Sequence, residues 1–169
     1  MSFIVILQLV IAFVMGFTGL FVIHRVVTRF LVRSYAIPEE DNLSLTIFQT
    51  GVILSGAVIL SAIVNPAVNA IRILNPSGSF SFGTFAPALG YVALFGLIGI
   101  GATFLVIAGG LYTIFQMTQV NEIDEMKAKK VNSSLVAAAL IFGISYIVGE
   151  YCGHLCEAMI PYPDVMRIR

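Results

Sequence analysis

Charged residues are scarce in this chain of 169 residues: they make up 11% of it, whereas 59% of its residues are hydrophobic. An average soluble domain is about 25% charged and about 45–50% apolar, so this composition predicts an integral membrane protein. The formal net charge is zero, which offers no overall attraction to nucleic acid. The few charges lie at the ends of apolar runs, and their positions carry the information on topology.

Cysteine is also scarce, because the chain contains only Cys152 and Cys156. Four residues apart on one helix, their Cβ atoms would be about 5–6 Å apart, against the roughly 3.5–4.5 Å of a disulfide. A disulfide scaffold is therefore not supported. The sequence also lacks glycine-rich nucleotide loops, a serine nucleophile motif and cysteine pairs with metal-ligand spacing. We expect no enzymatic activity and no cofactor.

Four apolar segments are long enough to cross a hydrocarbon core about 30 Å thick at about 1.5 Å per helical residue. We predict spans at about 3–31, 43–72, 88–120 and 132–159. Residues 75–87 are rich in turn-forming residues and predict an outer loop in the membrane interface, or a short re-entrant segment. The predicted fold is an all-α polytopic membrane protein, with one helix pair in 1–74, a second in 88–160 and an outer tail at 161–169.

The two helix pairs align with each other as a tandem parallel repeat. Gly19 to Phe21 matches Gly110 to Tyr112 at an offset of 91, and Asn42 matches Asn132 at an offset of 90. We also expect the fourth span to begin near Asn132, with Ser133 and Ser134 able to cap it.

The connection within each helix pair, which we call a hinge, contains most of the basic residues. Six of the nine Lys and Arg lie there, namely Arg25, Arg29, Arg33, Lys127, Lys129 and Lys130. By the positive-inside rule the hinges are cytoplasmic and both termini lie outside. The arginine stripe at intervals of four is either a solvated helix end near anionic lipid headgroups or a specific lipid or nucleotide site.

An acidic and basic hinge followed by an Asn-led helix rich in Gly, Ala and Ser occurs twice, at Asn42 to Gly56 and at Asn132 to Gly149. In this the chain resembles the domain of unknown function 350 family of bacterial inner-membrane proteins, over nearly its whole length. The first hinge departs from that pattern with Pro38 and three arginines. The resemblance implies a small four-helix inner-membrane protein linked to envelope or membrane-stress systems, with no catalytic residues to transfer.

Small residues spaced for close helix packing in lipid are frequent in the last three spans. Their density in the third span predicts that this helix is central in the bundle. Four helices can bury only a limited number of small residues against one another, so we predict that the small-residue faces of the third and fourth spans also bind a partner. The predicted packing residues are Gly51, Ser55, Gly96, Gly99, Gly101, Gly109, Gly110, Ser145, Gly149 and Gly153.

Three ionisable residues, Glu150, His154 and Glu157, are predicted to share one face of the fourth span. Two carboxylates and an imidazole at this spacing could bind a divalent metal or pass a proton. The competing interpretation places them at the outer interface, since Glu150 lies about 27 Å along the helix from Asn132. There, Arg72 would pair with Glu150 or Glu157. No charge is then expected at a membrane midplane, which argues against an ion-coupled pump.

The leading functional hypothesis is a non-enzymatic membrane scaffold or accessory subunit, in contact with lipids and assembled as a homo-oligomer or in a larger complex. The alternative is a homo-oligomeric channel or transport component, and a third hypothesis is a metalloenzyme built around Glu150 and His154. A channel requires the polar side chains of the second span to face a water-filled path, whereas a scaffold requires them to face a partner helix. These side chains are Gln49, Thr50, Ser55, Ser61 and Asn65.

Overall fold

A computed structural model describes residues 2–74, 82–118 and 121–161 of the chain. Within these residues every regular element is a helix: α1 (Ser2–Tyr35), α2 (Leu43–Leu74), α3 (Phe82–Thr118), α4 (Glu122–Lys127) and α5 (Val131–Ala158). The four longer helices each contain a segment long and apolar enough to cross a membrane. The predicted all-α fold with four membrane-spanning helices is therefore confirmed.

The ends of the helices differ from the predicted spans at two places. Helix α3 begins at Phe82, so residues 82–87 of the predicted outer loop are helical, and Pro87 lies inside the helix. The fixed φ of proline, near −65°, is compatible with that conformation. Helix α1 continues to Tyr35, so all three arginines of the first hinge are helical. Residues 75–81, 119–120 and 162–169 lie outside the described residues.

The second hinge contains a short helix, α4, which the sequence did not predict. Its N-cap is Asn121, whose side-chain Oδ1 accepts a hydrogen bond from the Ile123 amide at 3.1 Å. Helix α5 then begins at Val131 with Lys130 at the N-cap and no side-chain capping bond. The predicted start of this helix near Asn132 is therefore confirmed to within one residue, whereas the predicted capping by Ser133 or Ser134 is wrong, since both lie inside the helix.

Helices α2 and α5 lie side by side and run in the same direction. Ser44 contacts Ser134 near their first turns, Gly149 packs against Ile59 further along, and Gly153 packs against Ala62. The contacting positions therefore increase along both helices in the same direction, with an offset of about 90 residues. A parallel pair in register is the geometry that a tandem repeat would produce, and the repeat itself stays a prediction.

Helix α2, and not α3, is the centre of the bundle. Its apolar segment is 44% buried, against 28% for each of the other three spans, and it packs against α1, α3 and α5. The prediction of a central third span is wrong, because a glycine allows close packing only where a neighbouring helix covers it. Gly101 and Gly109 of α3 face open space. The core consists mainly of large apolar residues, among them Phe48, Ile59, Ile63, Phe95 and Ile141.

Candidate functional site

Asn42 joins the two hinges at one end of the bundle, which we call the hinge end. Its Oδ1 accepts a hydrogen bond from the Leu45 amide at 3.0 Å, which caps α2. Its Nδ2 donates to the carbonyl oxygens of Pro38 and of Met126, both at 3.0 Å. Asn42 is 3% exposed, so these bonds satisfy every polar atom of a buried amide and connect residues far apart in the chain.

A pair of buried hydroxyls lies beside Asn42 in the contact between α2 and α5. The Oγ atoms of Ser44 and Ser134 are 2.6 Å apart, and Ser44 also donates to the Lys130 carbonyl at 2.9 Å. Ser55 and Ser145 are likewise fully buried. The same interval of eleven residues separates Ser44 from Ser55 and Ser134 from Ser145. That recurrence was the available signal for the contact between Ser44 and Ser134, which the sequence analysis did not predict, since it named Ser134 only as a candidate cap.

The charges of the second hinge are partly paired with one another. Lys130 Nζ lies 2.7 Å from Glu125 Oε1, and Ser133 donates to the other carboxylate oxygen at 3.2 Å. The hydrogen bond from Lys130 lowers the pKa of Glu125 below its ordinary value. Lys129 donates to the Glu40 carbonyl at 3.1 Å, so the second hinge also holds the first one in place.

The small residues predicted on α2 and α5 face each other in the structure. A Cβ added at Gly51 would lie 2.5 Å from Ala138 Cβ and 2.7 Å from its Cα, and one at Gly153 would lie 3.0 Å from the Ala62 carbonyl oxygen. The Cβ of a larger residue could not fit at Gly51 without separating the helices. The small-residue face of α5 is thus used inside the chain and is not available to a partner.

The glycines of α3 fall into two groups. Gly99 and Gly110 lie against side chains of α2 and α5, whereas Gly96 has only an ordinary contact and Gly101 and Gly109 have no neighbour within 4 Å. Gly101, Gly109 and Gly110 line an open groove of about 730 Å³ between α3 and α5. Part of the predicted packing surface of α3 therefore remains uncovered.

One face of α2 is not covered by another helix, and we call it the open face. Its exposed residues recur at intervals of three, four or seven along the whole helix, namely Leu43, Thr46, Thr50, Leu54, Ser61, Asn65 and Arg72. Helix α1 borders this face on one side, because its Gln8 and Thr28 hydrogen-bond to Asn65 and Gln49. Helix α5 borders it on the other side, across a groove of about 320 Å³ walled by Ala139 and Phe142.

The polar side chains of α2 whose orientation distinguishes the scaffold hypothesis from the channel hypothesis point in different directions. Gln49 donates to Thr28 of α1 at 3.0 Å, and the buried Ser55 hydroxyl has no hydrogen-bond partner among the described residues. Thr50 and Ser61 are exposed on the open face and donate to carbonyls of their own helix. Asn65 accepts from Gln8 at 3.1 Å. Together they do not line a path through a single chain.

A layer of close contacts crosses the bundle at mid-height. Gly149 of α5 packs on Ile59 of α2, and the adjacent Leu60 side chain lies against both Gly19 of α1 and Gly99 of α3. Each of the residues on α1, α2 and α3 is near the middle of its helix. We call this set of five residues the middle layer, and it gives a common height scale for all four long helices.

Glu150 lies next to the middle layer, about 1.5 Å from it, because it follows Gly149 directly. Arg25 is six residues from Gly19, or about 9 Å from the layer on the hinge side. Both residues are exposed. On this scale Glu150 lies near the mid-height of the bundle, and its place at the outer interface of the membrane stays a prediction. The four helices are longer than a bilayer is thick, so a residue about 27 Å from Asn132 is only at mid-height.

The charge-free belt around the bundle is therefore only about 10 Å high between Arg25 and Glu150, whereas a hydrocarbon core is about 30 Å thick. Arg25 and Arg72 are about 28 Å apart along the bundle on the same scale, a separation close to that thickness. A membrane placed between these arginines contains Glu150, His154 and Glu157, all exposed on α5. Moving it towards the hinge end would enclose arginines instead.

The other predicted interactions of these acids are not formed in the structure. Within the described residues no ion pair joins Arg72 to Glu150 or Glu157. The contact of Gly153 with Ala62 puts Glu157 roughly 9 Å short of Arg72 along the bundle. Because α2 and α5 run in the same direction, both side chains incline towards the hinge end and this difference in height is not reduced. In the same part of the chain no group of three or more His, Cys, Asp or Glu side chains could hold a metal ion.

These features define a multi-pass α-helical membrane protein with exposed charged groups near the mid-height of its bundle. Comparison with protein-family models finds no match, and comparisons with curated proteins and with solved structures find none either. The resemblance to the domain of unknown function 350 family therefore stays a prediction, and function is argued from the geometry.

Proposed function

We propose that this protein is a non-enzymatic scaffold or accessory subunit that is complete only in an oligomeric membrane complex. The observation that carries the proposal is the narrow charge-free belt, about 10 Å high where a lone protein needs about 30 Å. Charged side chains inside a membrane are costly and face a partner, a cavity or an interior. A second protein surface against α5 would remove Glu150 from lipid.

The two uncovered helix surfaces support the same proposal. Gly101 and Gly109 expose backbone on α3, and small residues of this kind let another helix approach closely in lipid. The open face of α2 is polar at Thr46, Thr50 and Ser61, which suits a protein neighbour better than acyl chains.

We further propose that the complex belongs to a bacterial inner membrane, with the hinge end in the cytoplasm and both termini outside. The support is the concentration of Lys and Arg at the hinge end together with the positive-inside rule. The resemblance described above suggests an envelope or membrane-stress system.

Native mass spectrometry of the protein, gently extracted from its host membrane, tests this function. We expect an assembly of several copies, or of this chain with another membrane protein, held together in the gas phase. A protein that is monomeric in every mild detergent and in nanodiscs would refute the proposal.

A second candidate function is a homo-oligomeric channel or transport component. It is favoured by the polar open face of α2, since Thr46, Thr50, Ser61 and Asn65 are exposed and could line an axis between copies. Single-channel recording of the purified oligomer in planar bilayers tests it. Stepwise conductance that changes with Ser61→Leu would support a channel, and silent bilayers would leave the scaffold as the function.

A further inference from the structure

We propose that the missing neighbour of the open face is a second copy of this chain, and that Arg25 of each copy pairs with Glu150 of the other. This inference rests on the proposed function and specifies the partner. It follows from the charges that border the open face, their height in the membrane and the direction of the helices that carry them.

Glu150 lies on the side of α5 that borders the open face. Ala139 and Phe142 wall the groove beside α2, and Tyr146 and Glu150 continue the same stripe at intervals of four residues, so all four share one helix face. Glu150 is exposed and has no hydrogen bond or ion pair with another described residue. It is thus an acid at membrane depth beside an uncovered surface.

Arg25 lies on α1, the helix that borders the other side of the open face through Gln8 and Thr28. It is on the exposed side of that helix, two residues from the buried Ile23 and Val27, and its guanidinium lies 5.6 Å from the centre of the Phe21 ring. Arg25 continues an exposed stripe that contains Phe13, Phe17 and Phe21 at intervals of four. The stripe therefore presents an apolar surface that ends in a cation.

The two side chains incline towards the same height. In an α-helix the Cα–Cβ bonds tilt towards the helix N-terminus. Helix α1 has its N-terminus at the far end and α5 has its N-terminus at the hinge end, so Arg25 tilts away from the hinge end and Glu150 tilts towards it. The height difference of about 10 Å is thereby reduced to a span that two long side chains can bridge.

A two-fold axis along the membrane normal allows both contacts in one interface. All copies of a membrane protein insert in the same orientation, so residue heights are preserved between them. With the open faces of two α2 helices turned towards each other, α1 of each copy lies against α5 of the other. The Arg25–Glu150 contact then forms twice, as an isologous interface requires.

Disulfide cross-linking of the full-length chain in nanodiscs tests the geometry. Ser61→Cys places a thiol on the open face, and Leu105→Cys places one at 76% exposure on α3, away from it. The parent chain, whose own cysteines Cys152 and Cys156 are buried, is the baseline. We expect oxidised dimer with Ser61→Cys only, and dimer with Leu105→Cys only would overturn the proposal.

Charge reversal tests the pair. We expect Arg25→Glu and Glu150→Arg each to weaken dimer formation about tenfold, a size in the range measured for close interfacial charge pairs, and the double variant to restore most of it. Arg33→Glu is the matched control, because it reverses a charge on the same stripe about 12 Å nearer the hinge end. If a reversal prevents folding, Arg25→Gln and Glu150→Gln replace it with the same expected direction.

The outcomes separate this inference from the function on which it rests. Cross-linked dimer that is unaffected by either reversal would overturn the Arg25–Glu150 pair. An assembly with a different protein, without an oxidised Ser61→Cys dimer, would overturn the inference that the neighbour is a second copy of this chain. It would still support the proposed function as a subunit of a membrane complex. A protein that stays monomeric throughout would overturn both.

Discussion

Replacing Asn42 by alanine should destabilise the bundle far more than the same change at Asn132, its counterpart in the predicted repeat. Asn42 caps α2 and donates to the Met126 carbonyl from a buried position. Losing an N-cap costs about 1 kcal/mol, and losing the hydrogen bond to the Met126 carbonyl, which still accepts from the Lys129 amide, costs about 0.5–1.5 kcal/mol. The expected loss in the free energy of unfolding is therefore roughly 1.5–2.5 kcal/mol.

Asn132→Ala is the matched control because it removes the same chemical group from the other hinge. Asn132 is exposed on the first turn of α5 and does not cap that helix. Alanine is the better helix former by about 0.7 kcal/mol or less, so this variant should be neutral or slightly more stable. Asn42→Ser adds a second comparison, because serine still caps a helix but is too short to reach Met126.

The free energy of unfolding is measured by titrating each purified variant with sodium dodecyl sulfate in mixed micelles, with helix content followed by circular dichroism. The expected order of stability is Asn132→Ala, Asn42→Ser and then Asn42→Ala. If the two alanine variants differ by less than about 1 kcal/mol, then Asn42 does not hold the hinges together as its hydrogen bonds imply.

Two further outcomes follow from the same structure. Gly51→Ala should lower the free energy of unfolding by about 1–3 kcal/mol in the same titration, because its Cβ would press on the Ala138 backbone. Gly101→Ala, whose Cβ would meet nothing within 4 Å, should stay within about 1 kcal/mol of the parent. Equal losses for the two variants would contradict the packing of α2 on α5. Because the Glu125 pKa is lowered in the folded chain, this group contributes stability above its ordinary pKa of 4.5 that is lost as pH falls. Lys130→Met should raise the Glu125 pKa in a carboxyl NMR titration, and an unchanged value would refute the role of that hydrogen bond.

The sequence was sufficient for the four long helices because each is an unbroken apolar run, and a long helix in lipid is determined by hydrophobicity and length. Their boundaries were less certain. Phe82 begins α3 within a segment whose glycine and proline content is typical of a loop. Asn121 caps the short helix α4, which was not predicted, whereas Ser133 and Ser134, the predicted caps of the fourth span, lie inside α5. A polar residue can be identified as a cap only once the course of the backbone beyond it is known.

The candidate surfaces depended on which helix faces meet, and a single sequence does not contain that information. Gly101 and Gly153 were both predicted as helix-packing residues, yet only Gly153 lies against another helix. The height of Glu150 was also inaccessible, since it depends on the register between α5 and α2. The charges at the ends of the spans predict a topology, whereas the relative heights of the charges required the packed bundle.

The parallel contact of α2 with α5 has a consequence for biogenesis. Ser44 and Ser134 are 90 residues apart, so at a synthesis rate of roughly 5–20 residues per second the second serine is made about 5 to 18 s after the first. During that interval α2 has been synthesised, but α5, which provides its largest contact surface, has not. The Met126 carbonyl that Asn42 will bind is also made only late in that interval. Until the last helix is made, α2 can pack only on α1 and α3. A chain that stops before α5 therefore leaves the small-residue face of α2 uncovered.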